Sequence, residues 1–185
     1  METIIALLRG INVGGHNKLP MRDLAALLAE MGLVNVQTYI QSGNVVLQTE
    51  RTNLPELAQE ISAAIGKRHG FRPQVMLLRL VDLQTAVTHN PFPAAQANHK
   101  TLHFYFLESV PATPDLAALE ALKTDTEQFQ LIDKVFYLHV PDGMGRSKLA
   151  AKVEKALGVA TTARNWRTVS KMLAMGTAVA SNEGE

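Results

Sequence analysis

The sequence predicts an α+β protein built as two tandem ferredoxin-like α-β plaits, each of order βαββαβ and each followed by an extra helix. Three observations predict it. Short apolar runs and amphipathic helical stretches follow each other in the same order twice. A proline-rich break, Pro91-Phe92-Pro93-Ala94-Ala95-Gln96-Ala97-Asn98, separates the two rounds. The chain has 185 residues, 46% of them hydrophobic, which allows one domain or two small ones with a core of ordinary size. The expected division is residues 1–90, a linker at 91–100, and residues 101–185.

In the first half, Thr3–Leu8 is a compact apolar run and reads as a buried strand. Pro20 suits a first helical turn. Leu24, Leu27, Leu28 and Met31 then recur at helical spacing, and Gly32 closes the helix. Val36–Gln41 and Asn44–Thr49 read as strands joined by a tight turn at Ser42-Gly43. Asn53 and Glu56 form a capping-box-like start for a helix carrying Leu57, Ile61 and Ile65. Gly70 ends it, Gln74–Arg79 is the next strand, and a short helix covers about Asp82–Thr88.

The second half repeats the order with little residue identity to the first. Thr101–Leu107 is a strand, and Thr113-Pro114-Asp115 opens a helix with Leu116, Leu119 and Leu122. Gln128–Ile132 and Val135–Val140 form a hairpin. Ser147 can cap a helix carrying Leu149, Val153, Ala156 and Leu157, which Gly158 ends. A strand near Val159–Thr162 completes the set. The last helix, about Trp166–Ala178, has Val169, Met172 and Leu173 on one face, and Ser181–Glu185 reads as frayed.

Composition excludes several functions. There is no cysteine, so disulfides, thiolate catalysis and Cys-ligated zinc are out. The start has no basic segment before its apolar run, no stretch approaches membrane-spanning length, and a cytoplasmic protein is expected. Net charge is +1, which is no general attraction for polyanions. Charge is nonetheless uneven: Arg146–Lys171 holds seven cations against one acid, and Glu108–Glu127 holds five acids against one lysine. Two solvated helix faces explain this as well as a polar surface does.

The run Leu7-Leu8-Arg9-Gly10-Ile11-Asn12-Val13-Gly14-Gly15-x-Asn17-Lys18 with Pro20-Met21, followed by Tyr39-Ile40-Gln41-Ser42-Gly43-Asn44-Val45, resembles the bacterial domain of unknown function 1697. So do Asn90-Pro91-Phe92, Asp142-Gly143 with Ser147-Lys148-Leu149, and Thr162-x-Arg164-Asn165-Trp166-x-Thr168-Val169. The resemblance implies a tandem pair of α-β plaits and no assigned activity. His16 stands where that family is expected to have a lysine or another polar residue, and it is given no special role.

Candidate chemistry lies mostly in loops. Arg9–Lys18 has three glycines, two asparagines and two cations in ten residues. Read functionally, Gly14 and Gly15 let the backbone approach an anion, Asn12 and Asn17 orient it, and Arg9 and Lys18 supply charge. Read structurally, the glycines allow a sharp exit from the strand and the asparagines bond their own backbone. Ser42 and Asn44 are turn residues or ligand contacts; this turn and the Arg9–Lys18 loop are not expected to form one site. Ser147 and Lys148 follow a second glycine-rich approach to a helix. Arg164 and Arg167 flank the start of the last helix, where two cations oppose the dipole unless an anion sits between them; Asn165 there is a cap or a ligand contact.

No cofactor is expected: the loop is neither a Rossmann fingerprint nor a P-loop, and no metal or nucleophile motif is present. The leading expectation is binding of a phosphorylated or anionic small molecule or nucleotide. One alternative is an enzyme acting on a phosphorylated substrate. Another is nucleic-acid binding through the C-terminal cations and the sheet aromatics His103, Tyr105 and Tyr137, although packing explains Phe104, Phe106 and their neighbours better. No membrane partner is expected, and oligomeric state is open.

Overall fold

A computed structural model describes residues 1–181. The chain is α+β, with two four-stranded antiparallel sheets and, among the described residues, six α-helices. It divides into two compact units: Met1–Thr85 with the chain from Lys171 onward, and Ala86–Ser170. The expected fraying of Ser181–Glu185 lies, beyond Ser181 itself, outside the described residues.

In the first unit the order is β1 (Glu2–Arg9), α1 (Met21–Glu30), β2 (Val34–Tyr39), β3 (Asn44–Thr49), α2 (Leu54–His69), β4 (Gln74–Arg79), then α3 (Leu80–Thr88), whose residues from Ala86 on belong to the second unit. The sheet runs β2-β3-β1-β4. Strand β1 is central and pairs antiparallel with both neighbours, Ala6 facing Val45 on one side and Leu77 on the other. A central strand is buried on both faces, which is why β1 reads as an unbroken apolar run rather than an alternation. Ile4, Ala6 and Leu8 enter a core with Leu24 and Leu28 of α1 and Leu57, Ile61 and Ile65 of α2. These helical positions are the spacings that identify α1 and α2 in the sequence.

Two helix ends have clear local causes. Asn53 Oδ1 accepts the Glu56 amide at 3.3 Å, starting α2, and Gly70 in the left-handed region (φ 80°) ends it. Pro20 is the residue before α1 rather than its first turn, with φ −59° and ψ 136°.

The second unit holds β5 (Leu102–Leu107), α4 (Leu116–Leu122), β6 (Gln128–Ile132), β7 (Val135–His139), α5 (Val153–Leu157) and β8 (Thr161–Asn165). Its sheet runs β6-β7-β5-β8, so its four strands hold the same relative places as the first four. Tyr105, Phe136 and Leu138 pack with Leu119, Leu149, Val153 and Leu157. Two segments differ from expectation. The proline-rich break contains a 3-10 turn over Pro93–Ala97, and the helix expected from Ser147 begins with 3-10 turns and is α-helical only at α5. Strand β8 starts two residues later than expected and ends at Asn165.

The last helix, α6 (Trp166–Ser181), begins in the second unit, and from Lys171 on it belongs to the first. There Gly176 lies against β1 and α3: a Cβ on it would stand 2.7 Å from Leu80 Cδ1 and 3.2 Å from Ile5 Cδ1. The absent side chain therefore permits close helix–sheet packing.

Candidate functional site

The loop after β1 is a small, tied hairpin. The Asn12 amide donates to the Asn17 carbonyl at 3.0 Å and the His16 amide to the Val13 carbonyl at 3.0 Å. Gly14 and Gly15, between them, have φ of 57° and 80°, the positive values that a two-residue hairpin turn of type I′ demands. Asn12 (φ 52°) and Asn17 (φ 50°) are also left-handed, which asparagine tolerates better than most residues.

Asn12 is the knot of this structure. Its Nδ2 donates to the carbonyls of Leu19 at 2.9 Å and Gln41 at 2.8 Å, and its Oδ1 accepts the Leu19 amide at 2.8 Å. Asn17 Nδ2 donates to the Gly10 carbonyl at 2.8 Å. Both asparagine amides are thus engaged by backbone and hold the loop's shape. Leu19 is buried in the core cluster that holds Leu24 and Leu28, which anchors the loop to the start of α1.

The Gln41 bond also brings in the β2–β3 turn. Contrary to the expectation that this turn and the loop are separate, Ser42 and Asn44 lie at the same sheet end as the loop, because the register of β3 on β1 brings the turn against Leu8. The Leu8 amide donates to the Gly43 carbonyl at 2.8 Å. Gly43 has φ 79°, and a Cβ there would stand 2.7 Å from Leu8 Cβ and from Ile11 Cδ1. Only glycine lets the turn approach the loop this closely. Asn44 is buried, and its Nδ2 donates to the Tyr39 carbonyl at 3.1 Å and to Ser42 Oγ at 3.0 Å. Gly14, Gly15, His16, Lys18 and Ser42 remain exposed, as does Arg9 at the end of β1. Lys18 has no ion-pair partner among the described residues. The first unit therefore brings together Arg9, Asn12, Gly14, Gly15, Asn17, Lys18, Ser42 and Asn44. One residue that the sequence passes over joins them: Ile40, exposed, with φ 47°.

The second unit places its candidates differently. Ser147 is buried, and its Oγ accepts the Ala150 amide at 2.9 Å. Lys148 beside it is exposed. Asn165 Oδ1 accepts the Thr168 amide at 3.0 Å and so caps α6. Arg164 is not at the helix start but on β8, opposite Phe104 of β5, with its guanidinium donating to the Ala163 carbonyl at 2.8 Å. Burial lowers its pKa to about 10. Arg167 is exposed in the first turn of α6; burial first, then the charges of Arg167 and Lys100, lower the pKa of His99.

The aromatic strands are packed rather than presented. Tyr105 and Tyr137 are 6% and 1% exposed, and the Tyr137 hydroxyl donates to the Ala86 carbonyl at 2.7 Å. Phe104 lies edge-on to Tyr137 and stacks on Trp166 at 5.9 Å between ring centres. Buried rings offer no face to a base. Among the described residues no group of three or more His, Asp or Glu could hold a metal ion, and no helix is long and apolar enough to cross a membrane.

Residues 1–137 match the family described as "Protein of unknown function (DUF1697)". That span includes the whole loop and turn and stops short of Ser147, Arg164 and Arg167. No curated protein matches the chain. Among solved structures, the conserved bacterial protein SP0830 from Streptococcus pneumoniae is similar, with a TM-score of 0.71 and 24% identity over 95% of this chain and 98% of that one. At that identity the likeness shows the fold alone.

Proposed function

The chain belongs to the DUF1697 family, whose members carry no assigned activity in that description, and we propose that this protein binds a phosphorylated or otherwise anionic small molecule at the loop end of its first sheet. The observation that carries the reading is the Asn12 knot. It joins two segments far apart in sequence into one preorganised surface, with an exposed Gly14-Gly15 tip, Arg9 and Lys18 on its flanks, and the start of α1 behind it. Preorganisation lowers the ordering cost of binding, and glycine amides, cations and a helix start all favour negative charge. In this reading Asn12, Asn17 and Asn44 position the site, while Lys18, Arg9 and the glycine amides meet the ligand. The shared strand order of the two sheets supports reading them as ferredoxin-like plaits in tandem.

A thermal-shift screen with phosphorylated metabolites and nucleotides tests this. A ligand at a hundred times its Kd stabilises by roughly 2.7 kcal/mol, a rise of roughly 5–10 °C at this size. Lys18→Ala should weaken the hit at least about fivefold, the loss of one charge-assisted contact. If Lys18→Ala and Arg9→Ala leave every anion's binding unchanged, the site is elsewhere.

A further inference from the structure

The nature of the ligand's other half follows from two exposed apolar residues, given the loop-site reading above. Ile40 is half exposed and has φ 47°. β-Branched side chains are rare in that region, which glycine and asparagine occupy readily. The neighbouring left-handed positions obey this rule: Asn12, Gly14, Gly15, Asn17 and Gly43. Ile40 breaks it, and core packing gives no reason for it, since 50% of the residue faces solvent. A strained backbone that carries an exposed apolar group points to use of that group outside the fold.

Val13, in the loop tied to this turn, is 67% exposed. Asn12 and Gln41, joined by their 2.8 Å hydrogen bond, are the immediate chain neighbours of Val13 and Ile40. Charge around the loop is mainly positive, although Asp23 lies beside Arg22 in the first turn of α1. No acid occurs between Thr3 and Arg22 or between Gly32 and Thr49, while Arg9, Lys18 and Arg22 are cationic. Two exposed apolar residues on joined segments in a mainly cationic setting are complementary to an anion with an apolar flank.

We propose that Val13 and Ile40 form the apolar half of the loop site, and that its ligand is a phosphate monoester with an aromatic or alkyl group next to the phosphate. The test is a titration of the full chain with inorganic phosphate and with phenyl phosphate, followed at the Gly14 and Gly15 amide resonances. Wild type should bind phenyl phosphate about tenfold more tightly, as burial of a few methylene equivalents would give. In Ile40→Asn, and separately in Val13→Ser, that ratio should fall at least about threefold. Ile40→Asn should melt no lower than wild type, because asparagine suits the backbone there.

Equal affinities in wild type, or a ratio unmoved by both substitutions, would overturn the proposal while leaving the loop site standing. Silence of both anions at Gly14 and Gly15 would remove the loop site and this proposal with it. A dimer of the unliganded protein that Val13→Ser dissolves would assign the apolar pair to a second copy and overturn the proposal too.

Discussion

Single residues carry more of this protein's design than their types announce. The Arg9–Lys18 asparagines read equally as ligand contacts or as local staples, and the hydrogen bonds of Asn12 and Asn17 make them staples. Gly43 is legible as a turn glycine, but its 2.7 Å approach to Leu8 Cβ is not, because that contact joins residues 35 positions apart. Ile40 is illegible on principle: propensity argues against an isoleucine there, so no sequence rule would choose it. His103 shows the same limit. It lies on β5 between Leu138 and Asn165, and burial lowers its pKa to about 4 against a backbone hydrogen bond with Thr101 that raises it. The folded state therefore holds a neutral imidazole, whereas the unfolded chain protonates near 6.5. The stability due to keeping it neutral is complete above pH 6.5 and is lost as pH falls from 6.5 towards 4. The loss reaches about 3 kcal/mol in total. Urea denaturation at pH 7 and pH 5 should show His103→Leu losing less stability than wild type over that interval, by up to about 2 kcal/mol. An equal loss in both proteins would mean that His103 is solvated.

At the scale of elements, periodicity and caps read well wherever an element meets a core. The two helices over β1's core face, the two hairpins and the order of elements along the chain follow from apolar spacing and turn residues. Boundaries slip where the backbone is irregular. The β2–β3 turn spans Ile40–Gly43 rather than two residues, because four turn positions, two of them left-handed (Ile40 and Gly43), precede the buried Asn44. Arg164 reads as a helix-start cation, yet the pairing of β8 with β5 extends to Asn165 and places it in a strand. Pairing partners are non-local and leave no local mark. The last helix gives the sharpest test. Its sequence shows an apolar face but not which sheet that face meets. Gly176 meets Ile5 and Leu80, and Met172 and Val179 on the same helix are 1% and 3% exposed. Burial of such side chains contributes about 1.5–3 kcal/mol each. A chain ending at Ser170 should therefore lose at least about 3 kcal/mol of stability in urea. It should also lose amide protection in β1, the strand whose face Gly176 meets. Full protection of β1 in the truncated chain would show that α6 contributes little to that sheet.

Across the whole molecule, charge decides between two kinds of anionic partner. A net charge of +1 gives no long-range pull, so attraction must come from groups within about a Debye length, ~8–10 Å at physiological salt. For a phosphate monoester at the β1–α1 loop, two or three cations are enough, and two formal charges release few counterions. Its Kd should weaken by no more than about tenfold between 50 and 200 mM salt. A single-stranded oligonucleotide would instead need the seven cations between Arg146 and Lys171. Engaging all of them implies a slope near −0.7 per contact, about −5 in all, and roughly a thousandfold loss over the same salt range. Stacking cannot make up that loss, because Tyr105 and Tyr137 are buried in the second unit. Titrating one phosphate monoester and one short oligonucleotide at both salt concentrations separates the cases. A shallow dependence for the small anion with no oligonucleotide binding at 200 mM supports the loop site. Oligonucleotide binding that persists at 200 mM would require a nucleic-acid surface that neither the charge distribution nor the buried aromatics of this chain provide.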